Sequence, residues 1–307
     1  MHVFITGGLG FVGRRLSQVL LDAGHAVTAS GRSKTAQTID HPRFQYVVAD
    51  TSLEGPWQET AQQVDAAVNL AGVSIFSYWT DSHKQKMVDS RILTTRNLVN
   101  SLLEGNAKVL CSTSAVGYYG HRGDEKLTEE HPPGDDFLAR LAVDWEKEAH
   151  AAEAGNIRVA IPRFGIVLDR GGGAMGKMVP AFRMFLGGPL GDGRQWFSWM
   201  HLHDLVQAMV FCLTTDEARG AINFCAPEPV RNKTLAKTLG EVLNRPAIMP
   251  APAFVIRKAL GEFGEALLSS QRAVPNYLQK LGFEFRYPDL RSALAEIVGR
   301  SDSRHRP

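Results

Sequence analysis

The strongest chemical signal in the sequence is Thr6-Gly7-Gly8-Leu9-Gly10-Phe11-Val12-Gly13, where three spaced glycines follow an apolar run and open a helical pattern. In such a loop the first glycine permits the tight turn and the second lets backbone approach a pyrophosphate. The third lets the helix pack closely on the sheet, and the helix N-terminus faces the negative charge. An NAD site usually carries Asp or Glu about 20 residues further on, accepting from the ribose 2′-hydroxyl. Here that stretch reads Ser30-Gly31-Arg32-Ser33-Lys34, with no acid. Arg32 offers a planar fork and Lys34 a point charge for a 2′-phosphate. The expected cofactor is therefore NADP(H), held by Gly7, Gly10, Phe11, Val12, Gly13, Gly31 and Arg32.

Other chemical patterns are weaker. Gly171 to Lys177 fits G-x-x-x-x-G-K, but Met178 follows where a magnesium-holding Ser or Thr belongs, so ATP is not expected. His201 and His203 lack an obvious third ligand, and no metal site is expected. Phe182, Phe185 and the aromatics from Trp196 to Trp199 read as core or pocket wall. The chain has 34 basic and 32 acidic residues and a formal charge of +2. That balance argues against nucleic-acid and membrane-surface partners. Cys111, Cys212 and Cys225 are an odd number without close spacing, which argues for a reducing compartment. No apolar run reaches the roughly 18 residues of a membrane span, and the chain opens directly into a strand pattern, unlike a secretory leader. The expected location is cytoplasmic. A small-molecule substrate is the expected partner, with homodimer formation left open.

These residues need a scaffold, and the apolar pattern describes one. Strands are expected at 3–6, 26–30, 44–49, 66–71, 109–113 and 158–161, the last ending at Pro162. Val12, Leu16, Val19, Leu20 and Ala23 recur at helical spacing before Gly24, a C-cap residue. Val88, Ile92, Thr95, Val99 and Leu102 mark a second helix, and Leu138, Leu141, Trp145, Ala149 and Ala152 a third. Alternation of this kind predicts an α/β fold, a doubly wound parallel sheet covered on both faces. A length of 307 residues suits about two domains. Beyond residue 165 glycine-rich loops and the prolines of 246–252 break the alternation. The expected organisation is a Rossmann domain over 1–165, with 198–224 returning to it, a smaller substrate lobe over 166–197 and 225–300, and a flexible tail at 301–307.

With those elements in place the sequence resembles the extended short-chain dehydrogenase/reductases over nearly its whole length. Asn69-Leu70-Ala71-Gly72 looks like that family's motif behind the cofactor, and Cys111-Ser112-Thr113-Ser114-Ala115 like its serine-bearing strand. Trp196 to Asp204 resembles the late signature before a return helix. Asp89-Ser90-Arg91, Ser114 to Gly120, Gly187 to Gly191, Ala226 to Asn232 and Gly282 to Phe285 look like the atypical epimerase-family subgroup. The resemblance implies an adenine contact at Asp50, a cofactor wall at Leu70, Ala71 and Gly72, and Ser114 in the catalytic position. It also implies that Arg91 and Arg163 touch cofactor or substrate phosphate, with Lys86 a lesser candidate.

The chain departs from the family at its proton relay. Ordinary members carry Tyr-x-x-x-Lys; here none of the six tyrosines is followed four places on by Lys. The expected helix has Phe137 and Leu141 at the two positions. Tyr118, Tyr119, Asp144 and Glu146 are the candidates to move the proton instead, a carboxylate in a partly buried cleft being tunable upward. The resemblance thus implies an NADP(H)-dependent oxidoreductase or epimerase acting on a small hydroxyl- or carbonyl-bearing substrate without the usual relay. The alternative is a catalytically silent NADP(H)-binding sensor or interaction protein.

Overall fold

A computed structural model describes residues 1–35 and 38–299; the expected tail at 301–307 lies outside the described residues. Seven parallel strands build the central sheet: β1 (His2–Thr6), β2 (Ala26–Gly31), β3 (Phe44–Val48), β4 (Ala66–Asn69), β5 (Val109–Ser112), β6 (Arg158–Phe164) and β7 (Gly220–Phe224). Their spatial order is β7-β6-β5-β4-β1-β2-β3, and the two-residue strand Ser114–Ala115 pairs with β6 as an eighth member. β4 and β5 are buried at every position, as sheets covered on both faces require. The chain builds outward from β1 in one direction, then returns to β4 and builds in the other. A crevice therefore opens at the carboxyl ends of β1 and β4, where doubly wound sheets bind ligands.

The helices are α1 (Phe11–Asp22), α2 (Trp57–Gln62), α3 (Asp81–Leu103), α4 (Phe137–His150), α5 (Met175–Arg183), α6 (Leu202–Thr214), α7 (Asn232–Leu243), α8 (Ala253–Leu260), α9 (Glu262–Leu268), α10 (Asn276–Lys280) and α11 (Leu290–Gly299). On one face Leu16 and Leu20 of α1 join Leu205 and Met209 of α6 against the sheet. On the other, Trp57, Leu98, Leu102 and Ala149 carry α2, α3 and α4. A separate cluster of Met175, Phe182, Leu235, Leu239 and Leu294 packs α5, α7 and α11 together.

The helix ends follow local chemistry. Thr80 caps α3 by accepting from the His83 N–H, and Asp136 caps α4 by accepting from the Ala139 N–H at 2.8 Å. α1 differs: its N-cap is Gly10, with no side-chain cap, so the amides at its start remain available to an anion.

One boundary is corrected. β6 does not stop before Pro162 but runs through it to Phe164, pairing with β7 throughout. On its other side β5 pairs only as far as Ala160, and the Ser114 strand resumes at Arg163. The missing proline N–H thus falls in a gap between partners, and no ladder bond is lost. The third, fourth and fifth strands also end earlier than expected, at Val48, Asn69 and Ser112, leaving Leu70 to Gly72 and Thr113 as crevice loops.

Candidate active site

A cleft of about 1010 Å³ follows the carboxyl edge of the sheet from the glycine loop to α9. Gly7 takes a positive φ of 66°, which favours glycine, and a Cβ on Gly13 would stand 2.3 Å from the Gly7 carbonyl oxygen. The loop can close this tightly only without side chains. It is tied to β4 by Thr6, whose hydroxyl donates to Asn69 Oδ1 at 2.6 Å and accepts from the Leu70 and Ala71 N–H groups. The Asn69 amide donates to Thr95 Oγ1 at 2.8 Å, and the Trp145 indole donates to the same oxygen at 2.9 Å. One buried polar chain thus fixes the glycine loop, the Leu70–Gly72 wall and helices α3 and α4 to each other.

Gly7, Gly10, Phe11, Val12, Gly13, Gly31, Arg32, Asp50, Leu70, Ala71, Gly72, Lys86 and Arg91 all line this cleft. Arg32 is exposed at its rim, and among the described residues no carboxylate pairs with it. Asp50 accepts from the N–H and hydroxyl of Ser52 on one oxygen, which fixes the carboxylate in a turn. Arg91 is the unusual cation. It donates to the Val73 and Met87 carbonyls, lies 5.2 Å over the Trp145 ring, and burial pushes its pKa down to about 10. A buried guanidinium held by carbonyls alone favours an approaching anion. Uncapped α1, the glycine cradle, Arg32 and Arg91 together fit a phosphate-bearing dinucleotide.

Ser114 also lines the cleft, and its hydroxyl donates to Glu146 Oε1 at 2.6 Å. Glu146 is nearly buried and receives two further bonds from Arg163, from Nε and Nη2, at 2.8 Å each. Arg163 donates as well to the Tyr119 hydroxyl at 3.0 Å and stacks 3.4 Å over Tyr118. Burial works against its charge, yet the Glu146 bonds and charge, with Tyr119, hold its pKa above the ordinary value. Tyr119 is fully buried and donates to Asn223 Oδ1; burial pushes its pKa up to about 12, against the opposing pull of Arg163 and Asn223.

Six of the sequence candidates therefore sit away from the cleft wall: Lys34, Tyr118, Tyr119, Asp144, Glu146 and Arg163. Arg163, Tyr118 and Tyr119 form a layer behind Ser114, with the guanidinium committed to Glu146 rather than to a phosphate. Asp144 is exposed, because helical periodicity gives the cleft to Leu138, Leu141, Ala142 and Trp145 and turns Asp144 toward water. Where the family's relay is expected, Leu138, Leu141 and Ala142 form an apolar wall, and Phe137 packs edge-on against Trp79. Sequence reasoning missed Thr95, although a polar residue within an apolar helical stripe was the available signal. It also missed much of the far wall, to which Gln195, Phe263, Leu267 and Gln271 contribute outside any quoted motif; Phe197, read as core or pocket wall, and Asn232, within the Ala226–Asn232 stretch, join them there.

Comparison with known proteins gives this arrangement a lineage. The family model for NAD dependent epimerase/dehydratase proteins matches residues 3–225, and a domain of unknown function, DUF1731, matches 251–297. An Arabidopsis thaliana protein named epimerase family protein SDR39U1 homolog, chloroplastic, is 40% identical over 302 residues, covering 97% of this chain and 87% of the relative. The crystal structure of human epimerase family protein SDR39U1 with NADPH superposes with a TM-score of 0.84 at 32% identity, covering 97% of this chain and 99% of that one. A Corynebacterium glutamicum structure named nucleoside-diphosphate sugar epimerase gives a TM-score of 0.72 at 35% identity, covering 98% of this chain and 58% of that one. Glycine loop, doubly wound sheet and matched length agree: the chain belongs to the NAD dependent epimerase/dehydratase family.

Proposed function

We propose that this protein is an NADP(H)-dependent oxidoreductase or epimerase of a small hydroxyl- or carbonyl-bearing substrate, working in the cytoplasm with a Ser114–Glu146 proton path in place of the usual Tyr-x-x-x-Lys. The observation that carries the reading is one continuous cleft running from the glycine loop and Arg32 to the Ser114 hydroxyl. NADP(H) bound along the first half would accept or supply the hydride. Gly7, Gly10 and Gly13 would admit its pyrophosphate, Arg32 its 2′-phosphate, and Asp50 its adenosine end.

The chain's own part is proton transfer. Ser114 donates to Glu146, so its lone pairs face the cleft and accept from a substrate hydroxyl. As hydride leaves the substrate carbon, the hydroxyl proton passes to Ser114 Oγ while the Ser114 proton passes to Glu146 Oε1. Arg163 holds the carboxylate in line for that second transfer. Tyr118, Tyr119 and Arg163 are positioning residues in this scheme.

The silent-sensor reading rests on Phe137 and Leu141 at the relay positions. Titration with NADPH and NADH, followed by a carbonyl screen, separates the two. NADPH should bind at least about tenfold tighter than NADH, worth about 1.4 kcal/mol, and Arg32→Ala should erase the difference. NADPH oxidation by a carbonyl compound, slowed in Ser114→Ala with NADPH binding intact, supports the enzyme. Equal affinity for the two nucleotides refutes the 2′-phosphate assignment, and binding without turnover across the screen favours the sensor.

A further inference from the structure

The charged side chains of the cleft wall come from one stretch of the chain. Arg32, Asp50, Lys86, Asp89 and Arg91 line the cleft, and all belong to the first 91 residues. From Thr94 onward, among the described residues, the wall contains no Lys, Arg, His, Asp or Glu. The cations beside this part of the wall have other partners: Arg91, 5.2 Å over Trp145, belongs to the set that fits the dinucleotide and donates to the Val73 and Met87 carbonyls, and Lys84 pairs with Glu262 at 2.9 Å. Arg163 is locked on Glu146, and Arg231 pairs with Asp124 at 2.7 Å and lies 4.1 Å over Trp196. Arg272 lies 4.3 Å over the same ring, and neither Arg231 nor Arg272 reaches the cleft wall.

What remains at the wall is apolar carbon and neutral amides. Leu138 and Leu141 come from α4, Phe197 from the strand Trp196–Phe197, and Phe263 and Leu267 from α9. The amides are half-committed to the protein. Asn232 Oδ1 accepts from the Leu190 N–H at 2.8 Å, and Gln195 donates to the Leu190 carbonyl at 3.1 Å. Gln271 donates to the Ser269 hydroxyl at 3.2 Å. The groups left for a ligand are an amide N–H pair on Asn232 and the carbonyl oxygens of Gln195 and Gln271, all uncharged.

A diphosphate or carboxylate placed here would lose its hydration and meet no cation of the wall it lies on. An uncharged ligand loses little and buries carbon. We propose that the substrate is an uncharged, largely apolar alcohol or carbonyl compound rather than a nucleotide sugar. Its oxygen meets Ser114, and its carbon skeleton lies on Leu138, Leu141, Phe197, Phe263 and Leu267. This inference rests on the proposed function only in placing substrate at the Ser114 end of the cleft.

The test is calorimetric titration of the full-length protein saturated with NADPH, using acetophenone, benzylacetone and UDP-glucose, with absorbance of the reduced nicotinamide followed in parallel. Either ketone should bind, and UDP-glucose should give no heat at about 1 mM. Leu267→Glu and Leu138→Gln should each weaken ketone binding at least about tenfold, since each sets a polar group against apolar ligand surface. NADPH affinity within about twofold of the parent shows that each variant is folded. UDP-glucose binding without ketone binding overturns the inference, as does failure of all three probes. Ketone binding indifferent to both substitutions also overturns it. Ketone binding without NADPH oxidation leaves the substrate class standing and counts against hydride transfer, so the two proposals fail separately.

Discussion

Arg163→Met tests whether the layer behind Ser114 is an ion pair in a low-dielectric interior. The Arg163 and Glu146 side chains are 4% and 9% exposed and meet through two bonds of 2.8 Å. Methionine keeps the length and the apolar stem but removes five donors. Glu146 is then left buried with only the Ser114 hydroxyl at 2.6 Å, while Tyr119 loses its donor and Tyr118 its stacked cation. Removing one partner of such a pair costs about 3–5 kcal/mol, most of it the penalty of the stranded charge. For a chain of this size that corresponds to a melting temperature lower by ~10 °C. The assay is urea unfolding of the nucleotide-free protein near neutral pH, followed by tryptophan fluorescence, because Trp145 sits on the same helix as Glu146. The double variant Arg163→Met/Glu146→Leu should recover to within about 2 kcal/mol of the parent, since no charge is left uncompensated. A loss below about 1 kcal/mol in the single variant would show that water screens the pair, and the reasoning would fail. So would a double variant as unstable as the sum of the singles. NADPH affinity should stay within about twofold, because Arg163 does not reach the cleft; a tenfold loss would place its guanidinium on the cofactor.

Gly13→Ala should fold poorly or lose NADPH affinity by more than about tenfold, because the added Cβ meets the Gly7 carbonyl oxygen at 2.3 Å; an affinity within twofold would show that the loop can open at little cost. Asp136→Ala removes the cap of α4 and should cost about 1 kcal/mol in urea unfolding, with Asp136→Asn recovering most of it. Burial lowers the pKa of His201 below its ordinary 6.5, against the pull of Glu296. The unfolded chain therefore takes up a proton that the folded chain refuses, so stability present above pH 6.5 is lost as pH falls toward the folded value. The melting temperature should drop between pH 7.5 and 5.5, and His201→Asn, which keeps an acceptor for the His203 N–H, should flatten that slope; an unchanged slope would exclude His201 as its source.

What the sequence revealed and what it concealed divide along the range of the interactions. The glycine loop, Arg32 and the start of α1 lie within about one strand–helix–strand unit, so the roles proposed for them can be read from local spacing alone. Gly24, read as a helix stop, has the positive φ of 86° that such a stop needs. Pro162 misled because a proline ends a strand only when its position must donate, and pairing gaps are a property of three strands together. The Ser114 bond to Glu146 spans 32 residues and the Arg163 bond to Glu146 spans 17, across two elements whose mutual angle no motif encodes. Asp144 and Glu146 are two residues apart, and only the packing of α4 decides which one faces the sheet. The far wall is the least legible region, because Leu, Phe and Gln that line a cleft look the same in sequence as those that fill a core.

The orientation of one hydroxyl links these layers. A Ser114 that donated into the cleft would polarise a carbonyl unaided, but Glu146 accepts its hydrogen bond from behind, and two Arg163 bonds fix that carboxylate in place. Toward substrate, Ser114 is then an acceptor, which suits a hydroxyl about to lose its proton. A tyrosine–lysine pair would carry its lysine charge on the substrate side of the hydroxyl; here the charge is buried behind it, and Leu138 and Leu141 are free to present carbon to the ligand. The missing Tyr-x-x-x-Lys and the apolar wall meet at one place: Leu138, Leu141 and Ala142 present carbon to the cleft where the family's relay is expected.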